Sequence, residues 1–89
     1  MFLLKTKNYK KGVEFLSKRD QDFVCKQEKL LAEDIFDSKL HTKKLKGFSD
    51  DKVYSFRISR TYRGIFRLDG KNVILFSIGH RKDIYQKID

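Results

Sequence analysis

Val53-Tyr-Ser-Phe-Arg-Ile-Ser59, Tyr62-Arg-Gly-Ile-Phe-Arg-Leu68 and Val73-Ile-Leu-Phe-Ser-Ile-Gly-His-Arg-Lys-Asp-Ile-Tyr85 follow one another in the second half of the chain. Three short runs of β-branched and aromatic residues separated by turn material signal an antiparallel meander. Side chains alternate across a strand, so each run can be split by parity. Tyr54, Phe56 and Ile58 fall on one side, as do Tyr62, Phe66 and Leu68, and Ile74, Phe76 and Ile78. The other side carries Ser55, Arg57 and Ser59, then Arg63, Ile65 and Arg67. The first two strands therefore have one apolar face and one face bearing arginine. The third is apolar on both faces, which suits a central strand. The pattern predicts that Val73–Gly79 is central. It also predicts that helices cover the face carrying Phe56, Phe66 and Phe76, while Arg57 and Arg63 stand on the open face.

Working outward, Asp69-Gly70 is a hairpin signal between the last two strands. Arg60-Thr61 must make the earlier turn, although the pair is poor turn chemistry. Upstream, Phe2-Leu-Leu-Lys-Thr6 reads as a short first strand that pairs with the later sheet. Thr6 or Asn8 caps a first helix, in which Tyr9, Val13 and Leu16 form one apolar stripe. Asp20 is a suitable N-cap for a second helix, with Asp22 in its first turn. Phe23, Leu30, Leu31 and Ile35 continue that helix to about Phe36. The predicted class is α+β, a single domain over residues 1–89. It is a two-layer sandwich in which an N-terminal strand and two helices pack on a four-stranded, mainly antiparallel sheet.

The chain has 89 residues, 21 of them basic and 12 acidic, for a net charge of +9. A domain this small buries roughly 60–65% of its unfolded surface, so its stability is modest and a bound partner adds to it. The charge points to a polyanion or an acidic protein as partner. Cys25 is the one cysteine, which excludes an internal disulfide and a multi-cysteine zinc site. It reads as a semi-buried structural thiol. No apolar run approaches the ~20 residues of a membrane span, and Lys5 ends the apolar start too early for a signal peptide. The expectation is a cytoplasmic protein with no membrane association.

Lys39-Leu-His-Thr-Lys-Lys-Leu-Lys46 carries four lysines and His41 in eight residues, before a loop through Gly47 and Ser49-Asp50-Asp51. Lys39, Lys43, Lys44 and Lys46, with Arg67 on the sheet, are candidates for contact with an RNA backbone; a solvated connector explains the lysines equally well. There is no Gly-rich phosphate loop, no paired-histidine metal motif and no nucleophile triad. No metal and no cofactor is expected. What remains is Arg57, Arg63, His80, Arg81 and Tyr85. Arginine holds phosphate by paired hydrogen bonds. RNA carries its own nucleophile, the 2′-hydroxyl. A ribonuclease built on it needs a group to take that proton, cations for the phosphorane, and an acid for the leaving 5′-oxygen. Each residue also has a plain reading: His80 as an edge cap, Tyr85 as packing over the sheet, Asp83 as an ion-pair partner of Arg81 or Lys82.

Leu45-Lys-Gly47, Tyr54-Ser-Phe-Arg-Ile58, Tyr62-Arg63 and the ending Gly79-His-Arg-Lys-Asp-Ile-Tyr85 resemble the RelE/ParE superfamily of type II toxin–antitoxin toxins, and within it the RelE branch. The similarity covers nearly the whole chain. It implies a small basic ribonuclease that cuts messenger RNA in the ribosomal A site. It further implies a cognate antitoxin that wraps the toxin, and autoregulation by the pair on operator DNA. Carried over by position, Arg57, Arg63, Arg81 and Tyr85 match the family's site, and His80 stands where members vary. Ser55 replaces a lysine proposed as a base, which leaves that role to His80 or Tyr85. The alternative within the superfamily is a ParE-type inhibitor of DNA gyrase without nuclease activity. A relic that binds only an antitoxin is a third reading.

Overall fold

The computed structural model describes residues 1–46 and 52–84. The expected Gly47–Asp51 loop and Tyr85 lie outside them. Strand β1 (Phe2–Lys5) leads into helix α1 (Lys7–Glu14) and helix α2 (Lys18–Glu33). A short 3-10 turn (Ser38–Leu40) then precedes β2 (Lys43–Lys44), β3 (Val53–Arg57), β4 (Tyr62–Asp69) and β5 (Asn72–His80). The sheet has five strands in the order β1-β5-β4-β3-β2. β1 runs parallel to β5, and every other pair is antiparallel. The α+β class and the two layers are those expected. The lysine-rich connector contributes a fifth, two-residue strand, which its run of charges concealed. β4, not β5, is the middle strand, because this added edge widens the sheet on the β3 side. β5 is still interior, flanked by β1 and β4.

Local chemistry sets the helix starts. The Thr6 hydroxyl accepts from the Tyr9 amide and caps α1. Ser17, not Asp20, caps α2: its Oγ accepts from the Asp20 amide and donates to the Asp20 carboxylate. Asp20 therefore sits in the first turn, where a negative charge favours the helix dipole. α2 stops at Glu33, short of the expected Phe36. The Asp34 side chain accepts from the Phe36 amide, which competes with helix continuation. Cys25 lies on the exposed side of α2 rather than half-buried.

The main core lies between helices and sheet: Tyr9, Val24, Leu31, Phe56, Phe66 and Leu75 are buried in it. α1 sits close on β5, because a Cβ at Gly12 would fall 2.3 Å from Ile78 Cγ2. Phe76 departs from the expected pattern. The β4–β5 register shifts between Ile65 and Phe66, pairing Ile65 with Ser77 and Phe66 with Leu75. The extra residue in β5 is Phe76, and such a bulge resets parity. Val73 and Leu75 therefore join Phe56 and Phe66 under the helices, while Phe76 packs on the other face with Val53, Ile65 and Ile84. The β4–β5 hairpin turns at Gly70, whose φ of 59° is the left-handed conformation that asks for glycine. Among the described residues no helix is long and apolar enough to cross a membrane.

Candidate functional site

On the face of the sheet away from the helices, Arg57 of β3 lies directly opposite Arg63 of β4. Lys43 of β2 pairs with Ser55, and Arg67 of β4 with Val53, on the same face. Like charges set directly opposite each other destabilise a strand pair. The two guanidinium groups relieve this by diverging. Arg57 turns toward β2, where its Nη1 lies 3.4 Å from His41 Nε2. Its Nε is buried and has no hydrogen-bond partner. Arg63 turns the other way and donates to the carbonyls of Ser59 and Tyr62 in the β3–β4 turn. Ser59 adds to that turn by accepting from the Thr61 and Tyr62 amides. These bonds explain how Arg60-Thr61 makes a tight connection without glycine or proline.

Two residues absent from the expected site hold it in place. His41 adopts φ 48°, ψ 43°, a left-handed conformation, as it ends the 3-10 turn. That conformation delivers its ring to Arg57. Gln27 of α2, itself buried, donates both amide protons, one to the Lys39 carbonyl and one to the Arg57 carbonyl at 2.8 Å. It ties the helix layer to the end of β3. Gln27 sits among apolar residues at helical spacing, so a buried polar residue in a core stripe was the available signal. His41 stood within the lysine cluster already singled out.

The arginine face is partly covered. The turn after β5 folds back, with the Asp83 and Ile84 amides both donating to the His80 carbonyl at 2.9 Å. Ile84 is thereby buried over Gly79 and joins Val53, Ile65, Leu45 and Phe76 in a second small core. Ser55, at the position of the missing lysine, is buried between β2 and β4.

His80 does not join Arg57 and Arg63. It pairs with Tyr62, which belongs to the helix-side core, and the two rings meet edge to face at 6.1 Å. Its Nδ1 accepts from the Lys82 amide at 3.1 Å, so the neutral ring carries its proton on Nε2. Arg81 extends the ladder by one bond, its amide donating to the Thr61 carbonyl at 2.7 Å, and its side chain is exposed. His80, Arg81 and Lys82 line a cleft of about 400 Å³ with Arg60 and Thr61. Lys39, Lys43, Lys44 and Lys46 are exposed. Lys43 shares the arginine face, whereas Lys44 pairs with Tyr54 on the helix side. Among the described residues no three His, Cys, Asp or Glu side chains gather as metal ligands would.

No family model matches the sequence, and no curated protein does. Solved structures do match. The toxin chain in the RelB-RelE antitoxin–toxin complex from Methanococcus jannaschii is 26% identical, with a TM-score of 0.68 over 97% of this chain and 99% of that one. The archaeal RelE-RelB complex from Pyrococcus horikoshii gives 21% identity and a TM-score of 0.76 over 90% and 93%. The DinJ-YafQ toxin–antitoxin complex from E. coli gives 17% and 0.76 over 93% and 94%. The resemblance read from the sequence and the likeness in three dimensions point to the same superfamily.

Proposed function

We propose that this chain, which has the fold of the RelE superfamily, is the toxin of a type II toxin–antitoxin pair and cuts messenger RNA in the ribosomal A site. The observation that carries the reading is the pair of opposed arginines, Arg57 and Arg63, on the sheet face away from the two described helices. Arginine suits this role because its planar guanidinium holds phosphate by paired hydrogen bonds, and a phosphodiester lying across the two strands is within the reach of both side chains. The solved neighbours include toxin–antitoxin complexes, which supports an antitoxin partner here; binding of the pair to operator DNA belongs to the same proposal and rests on the sequence resemblance alone.

The reaction is attack of the RNA 2′-hydroxyl on the adjacent phosphate, a route that calls for no metal ion. Arg57, Arg63 and the exposed Arg81 stabilise the charge that builds on the phosphorane. The two proton transfers, from the 2′-hydroxyl and to the leaving 5′-oxygen, have His80 and Tyr85 as their candidates. Neither is a strong base. An ordinary tyrosine, with a pKa near 10, is a weak base at neutral pH. Such a site gains most when the hydroxyl is already aligned, because alignment alone lowers a barrier by several kcal/mol. The ribosome supplies that alignment, with Lys39, Lys43, Lys44, Lys46 and Arg67 contacting RNA phosphates.

The test is cleavage of one messenger, free and on a programmed 70S ribosome with an empty A site. Cleavage far faster on the ribosome is expected. Equal rates would assign a free ribonuclease instead. No cleavage in either case, together with inhibition of DNA gyrase, would assign the ParE-type alternative.

A further inference from the structure

Arg60 and Thr61, at the tip of the β3–β4 turn, form a wall shared by two clefts. One is the cleft toward His80, Arg81 and Lys82 already described. The other, about 560 Å³, opens toward the start of α2, where Arg19, Asp20 and Phe23 line it with Ser17 and Ser59. The two differ in character. The first is walled by the cations Arg60, Arg81 and Lys82. The second offers the Phe23 ring, anchored by packing against the main core and topped by the Arg19 guanidinium at 6.0 Å from its centroid. Asp20 is the one acid among the described lining residues, and its carboxylate already accepts from the Ser17 hydroxyl.

An aromatic face beside a cation, next to a strip of cations, is the chemistry that binds single-stranded nucleic acid. Bases stack on the ring and phosphates follow the charge. We propose that this double cleft is a binding site for single-stranded RNA, with a phosphate held by Arg60, Arg81 and Lys82 and the neighbouring base stacked on Phe23 in the place of the Arg19 guanidinium, which swings aside toward the phosphates. The site lies at the end of the sheet rather than on the face of Arg57 and Arg63. It stands whether or not the chain cuts RNA. Its place beside Arg81 gives a strand leaving the arginine face a continuous cationic path.

The experiment titrates the isotope-labelled whole chain with a 2′-O-methyl hexauridylate, which cannot supply the attacking hydroxyl, and follows backbone amide shifts at low salt. Shifts are expected at Arg19, Phe23, Thr61 and Arg81. Phe23→Leu keeps the packing but removes the stacking face, and weakens binding about 10-fold. Arg60→Ala weakens it and lowers the salt slope by about 0.7, whereas Lys29→Ala, a charge lost from the exposed side of α2, leaves binding unchanged. Shifts confined to the Arg57 and Arg63 face would overturn the proposal. So would Phe23→Leu and Arg60→Ala proteins that bind like Lys29→Ala, the absence of saturable binding, or equal binding of a hexaglutamate peptide at the same amides.

Discussion

Arg63 and Arg81 are both candidate phosphate ligands, yet their surroundings predict different mutants. Arg81 is exposed and ties nothing through its side chain among the bonds described, so Arg81→Ala is expected to lower ribosome-dependent cleavage by roughly 30- to 1000-fold, about 2–4 kcal/mol, with an unchanged melting temperature. Arg63 also closes the β3–β4 turn through the Ser59 and Tyr62 carbonyls. Arg63→Ala is therefore expected to lose activity and also to melt earlier, by about 0.5–1.5 kcal/mol for the hydrogen bonds lost. Thermal denaturation beside the cleavage assay separates the two cases. Tyr9 makes a third prediction. Its hydroxyl donates to the Glu28 carboxylate at 3.0 Å in the core, and Lys5 pairs with the same carboxylate at 2.8 Å. Burial, then the charge of Glu28 and that hydrogen bond, pushes the Tyr9 phenol well above its usual range. The folded protein thus keeps a proton that the unfolded chain releases near pH 10. The resulting stability is present below about pH 10 and is lost as pH rises beyond it. Tyr9→Phe is expected to cost about 1–3 kcal/mol at neutral pH, by leaving Glu28 short of a donor, and to flatten the alkaline loss. Urea titrations at pH 8 and pH 11 check both.

At the scale of elements, β3 and β4 approach more closely than side chains on both would allow. A Cβ at Gly64 would fall 2.4 Å from the Phe56 ring, which is itself packed at 5.9 Å from Phe66. An aromatic ring in a filled core has little room to move. Gly64→Ala is expected to destabilise the protein by about 1–3 kcal/mol, read as a lower urea midpoint with an unchanged slope. Hairpin, helices and apolar stripes were legible because periodicity and caps are local signals. The β2 strand was not: Lys43 and Lys44 have no strand-like pattern, and the pairing with Ser55 and Tyr54 extends the edge of the sheet at those positions. The bulge at Phe76 was equally invisible. A run apolar on both faces gives no sign of where its parity changes, and only pairing against β4 fixes it.

For the whole molecule, the net charge of +9, with cations in the connector, on the sheet, in the β3–β4 turn and on both helices, predicts that the proposed docking to the ribosome weakens steeply with salt. Cleavage under subsaturating conditions is expected to fall by at least 10-fold between 50 and 200 mM salt; a flat profile would remove backbone electrostatics from recognition.

The sequence by itself determined the α+β class, the strand-helix-helix-strand order, the two helix stripes and the inventory of cations, since each is written in short-range periodicity and composition. It also determined that Arg57 and Arg63 each lie on the less apolar face of their own strand, because parity within a strand is unambiguous; the β3–β4 register then set them opposite each other. Tertiary structure alone decided how the candidate site is divided. The β4–β5 register sends His80 to Tyr62 instead of to the arginines, the C-terminal turn lays Ile84 over Gly79, and the left-handed His41 meets Arg57. The physical reason is range. Which strands pair, and in which register, is settled by packing between residues far apart in the chain, and local patterns carry no record of those contacts.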